Sequence, residues 1–296
     1  MFKILNQTFR TGIVTTSYPR TAANAAEGFR GLPKIDFTVW RDALPAATVC
    51  PTGAIAVRDQ AGSRDVTVDY GLCVFCGLCA EATPEGAIQV TPEFELAVEQ
   101  RQELIFSAQY SLHDDGSHRN LTSLRSGSTG GEPAVERAGR VLKEKISDLL
   151  GRSLAIREVD AGSCNGCELE IHSLNNPIYD IERFGIHFVA SPRHADMLLV
   201  TGPVTRNMEV ALRKTYMATP DPRLVVAVGA CGISGGIFGK NYASLGGVDQ
   251  VIPVDVYIPG CPPRPQALLQ GILIAIGRMK PRMVRKLDLL EFARGS

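Results

Sequence analysis

Eight cysteines split into two separated groups of four, and this division constrains the chain more than any other feature. Cys50, Cys73, Cys76 and Cys79 form the first group; Cys164, Cys167, Cys231 and Cys261 form the second. The N-terminus sets Lys3 and Arg10 around a short mixed run. It has no continuous apolar stretch, no small-residue cleavage site and no twin arginine, so no export signal is expected and the chain is expected to stay in the cytoplasm. Stable disulfides are rare there, which makes metal ligation the first explanation to test.

The other bulk properties narrow the partners. A chain of 296 residues and 31.9 kDa suits about two domains. Lys plus Arg equals Asp plus Glu, 31 against 31, so no long-range field draws a polyanion and nucleic acid is not an expected partner. The least polar windows, Leu224 to Gly239 and Ala267 to Gly277, fall short of the roughly 20 apolar residues of a membrane-spanning helix.

Residues 107–133 are rich in Ser, Gly, Thr, His and Asn and read as a linker between a domain at 1–106 and another at 134–296. An internal repeat is visible before it: Cys50-Pro51-Thr52-Gly53-Ala54-Ile55 is echoed by Thr83-Pro84-Glu85-Gly86-Ala87-Ile88, each copy running into alternating apolar residues. Two related ββ or βα units about a pseudo-twofold axis are expected. The second half alternates differently. After an expected helix over Pro133 to Leu150, β-branched apolar runs recur at 154–159, 186–189, 197–201, 224–228 and 254–258, with helix-compatible stretches between them. Strands apolar on both faces, alternating with helices, predict a parallel α/β sheet.

The first cysteine group fits the run C-x2-C-x2-C-x3-C-P, in which the fourth cysteine serves the other cluster when two share a fold. Cys73, Cys76 and Cys79 supply the triad, but Thr83 stands in the fourth place, before Pro84. Counting back from Cys50-Pro51, the partner triad is replaced by Trp40, Ala43 and Ala46. The crossing rule therefore assigns Cys50 to the centre of Cys73, Cys76 and Cys79 and leaves the other site without ligands. A zinc site is the plainer alternative.

Leu72-Cys73-Val74-Phe75-Cys76-Gly77-Leu78-Cys79-Ala80-Glu81, together with Pro92 to Ala97, Thr11-Gly12, Thr16 to Pro19 and Phe29-Arg30-Gly31, resembles the polyferredoxin subunit of formate hydrogenlyase and its complex I counterpart over about Met1 to Val98. Members of that family carry two clusters, so the changes at Trp40, Ala43, Ala46 and Thr83 are a departure.

The second group is not a local motif. Each part follows an expected strand, which places Cys164, Cys167, Cys231 and Cys261 at the carboxyl edge of the sheet, where ligands of open α/β folds gather. Buried core thiols or a redox-active C-x2-C remain the plain alternatives. Gly235 to Asn241 invites a phosphate-loop reading that fails at Ser234 and Asn241. His172, His187 and His194 have no paired ligand spacing.

Cys164-Asn165-Gly166-Cys167-Glu168, Thr201 to Thr205, Gly229-Ala230-Cys231-Gly232, Gly235 to Phe238 and Pro259 to Pro265 together resemble the small subunit of energy-converting NiFe hydrogenases. That family is homologous to the B-type subunit of complex I, which holds the terminal cluster beside quinone. The two resemblances imply an α+β ferredoxin-like domain followed by an α/β flavodoxin-like parallel-sheet domain. They imply two 4Fe-4S clusters, one on Cys50, Cys73, Cys76 and Cys79 and one on Cys164, Cys167, Cys231 and Cys261. They also imply an electron-transfer subunit of a membrane-associated, formate hydrogenlyase-like complex, relaying electrons between a donor and the NiFe site of a large subunit. A complex I-like quinone or ferredoxin oxidoreductase without NiFe is the alternative. The implied partners are that large subunit, membrane-arm subunits and a donor such as ferredoxin or formate dehydrogenase. Through these partners the chain would sit on the inner face of the cell membrane. Glu168 is a candidate for proton transfer, against the plain role of a helix N-terminal carboxylate.

Overall fold

A computed structural model of the chain describes residues 2–127 and 153–283. After a helix α1 (Phe2–Thr11), two strand–helix–strand copies follow: β1 (Pro33–Ile35), α2 (Leu44–Val49) and β2 (Ile55–Gln60), then β3 (Ser63–Asp69), α3 (Leu78–Glu81) and β4 (Ile88–Val90). β1 pairs antiparallel with β4, and β2 with β3, so the outer strand of each copy meets a strand of the other. This reciprocity is what the sequence repeat leads one to expect.

Residues 107–127, expected to be linker, are not one. β5 (Ile105–Leu112) and β6 (His118–Ser126) extend the second pair into a four-stranded antiparallel sheet of order β2-β3-β5-β6. The physical reason is a period of two hidden in a polar composition. Phe106, Ala108 and Tyr110 point into the core while Ser107, Gln109 and Ser111 face outward. The remainder of the expected linker, and the helix expected over 133–150, lie outside the described residues.

The positions that lack cysteines are filled rather than hollow. Trp40, Ala43, Ala46 and Thr83 are all buried. Trp40 packs edge-on against Phe37 and His118, and the His118 ring stacks on Tyr110 at 3.8 Å. His118 Nδ1 lies 2.9 Å from the Trp40 carbonyl and donates to it. Beside this cluster the buried Arg64 bonds Asp42 and Asp59, each at 2.6 Å.

The second half is a five-stranded parallel sheet built from β7 (Leu154–Asp160), β8 (Ile186–Phe188), β9 (Met197–Thr201), β10 (Leu224–Val228) and β11 (Val256–Ile258). Its order, β8-β7-β9-β10-β11, is the 2-1-3-4-5 arrangement of flavodoxin-like sheets. Every residue of β9, β10 and β11 is buried, as continuous apolar runs require when helices cover both faces. The helices are α4 (Gly166–Ser173), α5 (Arg206–Ala218), α6 (Gly229–Ser234) and α7 (Pro265–Ala275). α7 is buried along its whole length.

The halves are sewn together. Val98 and Tyr257 exchange two backbone hydrogen bonds of 3.0 and 2.9 Å, adding one antiparallel bridge to the β11 edge. Ser234 Oγ donates to the Gly71 carbonyl at 2.9 Å, and Gly271 of α7 lies so close to Ile258 and Ala97 that an added Cβ would fall 2.3 Å from Ile258 Cδ1. Among the described residues no helix is long and apolar enough to cross a membrane.

Candidate metal centres

The first cysteine group closes on one small cavity, lined by Cys50, Cys73, Cys76 and Cys79 with Ile35, Ile55, Val68 and Tyr70. Cys50 caps the C-terminus of α2, Cys73 and Cys76 lie in the loop after β3, and Cys79 sits inside α3. Phe75 and Gly77 both take left-handed backbone conformations, φ 57° and 85°, which turn this loop back on itself. The Phe75 amide then donates to Cys73 Sγ at 3.4 Å.

The electrostatics of the four thiols differ. Burial pushes Cys73 up to about 12 and Cys79 up to about 11, with the neighbouring thiols adding to both. At Cys50 burial also pushes upward, but the amides of Ile55, Thr52 and Ala54 and the Thr52 hydroxyl outweigh it, so this thiol is lowered. Donors already point at the sulfur that the crossing rule assigns to this centre.

The second group converges from three strand ends. Cys164 and Cys167 follow β7, Cys231 follows β10 within α6, and Cys261 follows β11. Burial raises Cys167, Cys231 and Cys261, and each is raised further by neighbouring thiols of the set; Cys231 reaches about 11. Glycine makes the room. A Cβ on Gly229 would lie 2.8 Å from Cys167 Sγ, and one on Gly236 would lie 2.7 Å from Cys231 Sγ. Both have positive φ, 75° and 55°. The loop at Gly235–Gly236, which does not read as a phosphate loop, is thus packed against a thiol.

Among the described residues, no group of three or more His, Cys, Asp and Glu side chains could hold a single metal ion. His172, His187 and His194 are exposed and lie outside both sets.

Glu168, in the first turn of α4 beside Cys167, has both carboxyl oxygens buried without a hydrogen-bond partner among the described residues. Burial raises Glu158, and Glu168 raises it further, so two acids share this end of β7. Two basic residues carry no role in the motif reading yet line the cavity shared by Cys76 and Cys261: Arg30, which donates to the Cys76 carbonyl at 2.7 Å, and Arg264.

Residues 164–275 match the family described as NADH ubiquinone oxidoreductase, 20 Kd subunit. The chain is also 47% identical over 141 residues to the probable membrane-bound hydrogenase subunit mbhJ of Pyrococcus furiosus, an alignment covering 47% of this chain and 84% of that protein. This chain belongs to the 20 Kd subunit family. Its relatives include formate hydrogenlyase subunit 7 of Escherichia coli, 48% identical over 142 residues, 48% of this chain and 56% of that protein. They also include the B-type subunit of NADH-quinone oxidoreductase from Phocaeicola vulgatus, 44% identical over 160 residues, 53% of this chain and 76% of that one. The chain thus spans little more than half of the formate hydrogenlyase protein. Family and relatives place it among the components of oxidoreductase complexes.

Proposed function

We propose that the chain is the electron-transfer iron–sulfur subunit of a membrane-associated NiFe hydrogenase complex of formate hydrogenlyase type, relaying electrons between a donor and the NiFe site of a large subunit. The observation that carries this reading is the gathering of the eight thiols into two sets of four, one per half. In this reading the first half is a ferredoxin-like domain, and the fold joins it to the flavodoxin-like sheet as one body.

The residues fit the implied groups. Each set offers four sulfur donors, and glycine leaves a cradle against Cys167 and Cys231 that any side chain would fill. Cys50, Cys73, Cys76 and Cys79 would hold one 4Fe-4S cluster, and Cys164, Cys167, Cys231 and Cys261 the other. A cluster of this kind, when bound, supplies one-electron exchange. The protein's own contribution is to hold the sulfurs, to exclude water with Ile35, Ile55, Val68 and Tyr70, and to offer amide donors at Cys50 and Cys73. Glu168, its carboxyl oxygens buried and unpartnered among the described residues, is in this reading the candidate for proton transfer beside the second set.

The relatives named as formate hydrogenlyase and membrane-bound hydrogenase subunits support partners in a membrane-bound complex; in the proposed reading these are a NiFe large subunit, membrane-arm subunits and a donor protein, with peripheral attachment to the inner face of the membrane. The NADH-quinone oxidoreductase relative favours a second reading, a complex I-like quinone or ferredoxin oxidoreductase without NiFe. Iron, sulfide and nickel analysis with spin-resonance spectroscopy on the isolated chain tests the first claim: about eight irons and no nickel are expected for two cubane centres. Nickel in the complex purified with its partners supports the hydrogenase reading, and its absence leaves the second.

A further inference from the structure

The two thiol sets share a cavity of about 320 Å³, which Cys76 borders from one side and Cys261 from the other. Arg30 and Arg264 both line it, in different surroundings. Arg30 is exposed, so water and salt screen its charge. Arg264 stands three residues after Cys261 at the N-cap of α7, and its guanidinium lies between the rings of Phe29 and Phe94, 5.1 and 4.6 Å from their centroids. Its Nε donates to Gln266 Oε1 at 2.8 Å, whereas Nη1 is buried with no hydrogen-bond partner among the described residues.

A buried, unmet donor on this part-buried cation costs free energy that a neutral side chain would avoid. The guanidinium cannot relieve that cost by losing its proton. Two phenyl rings from the first half of the chain flank it and its Nη1 is buried, so its field is less screened than that of the exposed Arg30. Four thiolates around an iron–sulfur centre make it anionic, and reduction adds a further negative charge. A fixed nearby cation therefore favours the reduced form.

Resting on the reading that Cys164, Cys167, Cys231 and Cys261 hold such a centre, we propose that Arg264 is a potential-setting residue whose sheltered charge raises the reduction potential of that centre. Arg30, exposed beside Cys76, does the same far less for the first centre. Acids act in the opposite sense at this end of the sheet: Glu168 flanks Cys167, and Glu170 lines the cavity, its carboxyl raised by burial and drawn back down by Arg264.

The test is redox potentiometry followed by spin resonance on the full chain loaded with iron and sulfide. Arg264→Gln is expected to lower the reduced-to-oxidised ratio of the second centre about tenfold at fixed ambient potential, about 59 mV for a one-electron couple, with a smaller change at the first. Arg264→Lys is expected to stay near wild type. No shift in Arg264→Gln overturns the inference, and so does an equal shift in both variants, which would mark packing rather than charge. Should Arg264→Gln fail to hold iron, Phe94→Leu decides, because it admits water while leaving the cation in place: a downward shift supports the inference and an unchanged midpoint overturns it. A wild-type chain that binds only about four irons, all lost when Cys73 is replaced, removes the second centre itself and so overturns the underlying reading as well.

Discussion

Gly229 and Gly236 leave room for a sulfur and for little else. A methyl group at either position would press on Cys167 or Cys231 from under 3 Å, on backbone that L side chains rarely adopt. Gly229→Ala is therefore expected to lose about half of the bound iron, the share of one of two four-iron centres, while the signal of the first centre persists. Metal analysis paired with spin resonance checks this, and retention of full iron would contradict the arrangement at the carboxyl edge. Arg64 shows the same economy with charge. Its side chain is only 2% exposed between Asp42 and Asp59, which are themselves 39% and 50% exposed. Arg64→Ala leaves both acids in contact with water, so the expected loss is about 2 kcal/mol, below the roughly 3–5 kcal/mol of a fully buried pair. Denaturant unfolding measures it, and Arg64→Met, which keeps the stem, is expected to lose less.

At the scale of elements, β6 brings a titrating group to the aromatic cluster that occupies the vacated cysteine site. Burial lowers His118, and the Arg64 charge lowers it further, against an upward pull from the Trp40 carbonyl. The folded value thus lies below the unfolded one, so the neutral ring stabilises the fold above the unfolded value and that contribution fades as pH falls. The thermal midpoint of the wild type is expected to drop more between about pH 7.5 and about pH 5.5 than that of His118→Gln, since the unfolded imidazole titrates near 6.5. Parallel drops in the two proteins would remove His118 as the cause. The strand that carries this residue was hard to read in the letters. The parallel strands β9 and β10 announce themselves because both faces are apolar, whereas β5 and β6 bury one face and spread Ser, Gln, Asn and Arg over the other. Their alternation, Phe106, Ala108, Tyr110, was present but masked by a loop-like composition. The grouping of the first four cysteines was legible from the spacing of Cys73, Cys76 and Cys79, and that of the second four from the apolar strands that they follow. The fit of Gly236 against Cys231 was not, because it depends on two loops that meet only in space, and the same holds for Arg264 between two phenyl rings.

The molecule as a whole behaves as one body, since the Val98–Tyr257 bridge, the Ser234–Gly71 hydrogen bond and the close approach of Gly271 to Ala97 all join one half to the other. Cutting the chain at a protease site inserted within residues 128–152 is expected to leave the two fragments eluting together under native conditions and apart in denaturant. Separate native elution would show that these contacts do not suffice. On the relay reading, the burial of Trp40, Ala43, Ala46 and Thr83 bears on the choice of companions. An indole and an imidazole occupy what would have been an antechamber, so the front sulfur pocket opens straight onto its own doorstep. On that reading a donor has to reach the Cys50, Cys73, Cys76 and Cys79 set directly, with no outer stepping stone before it.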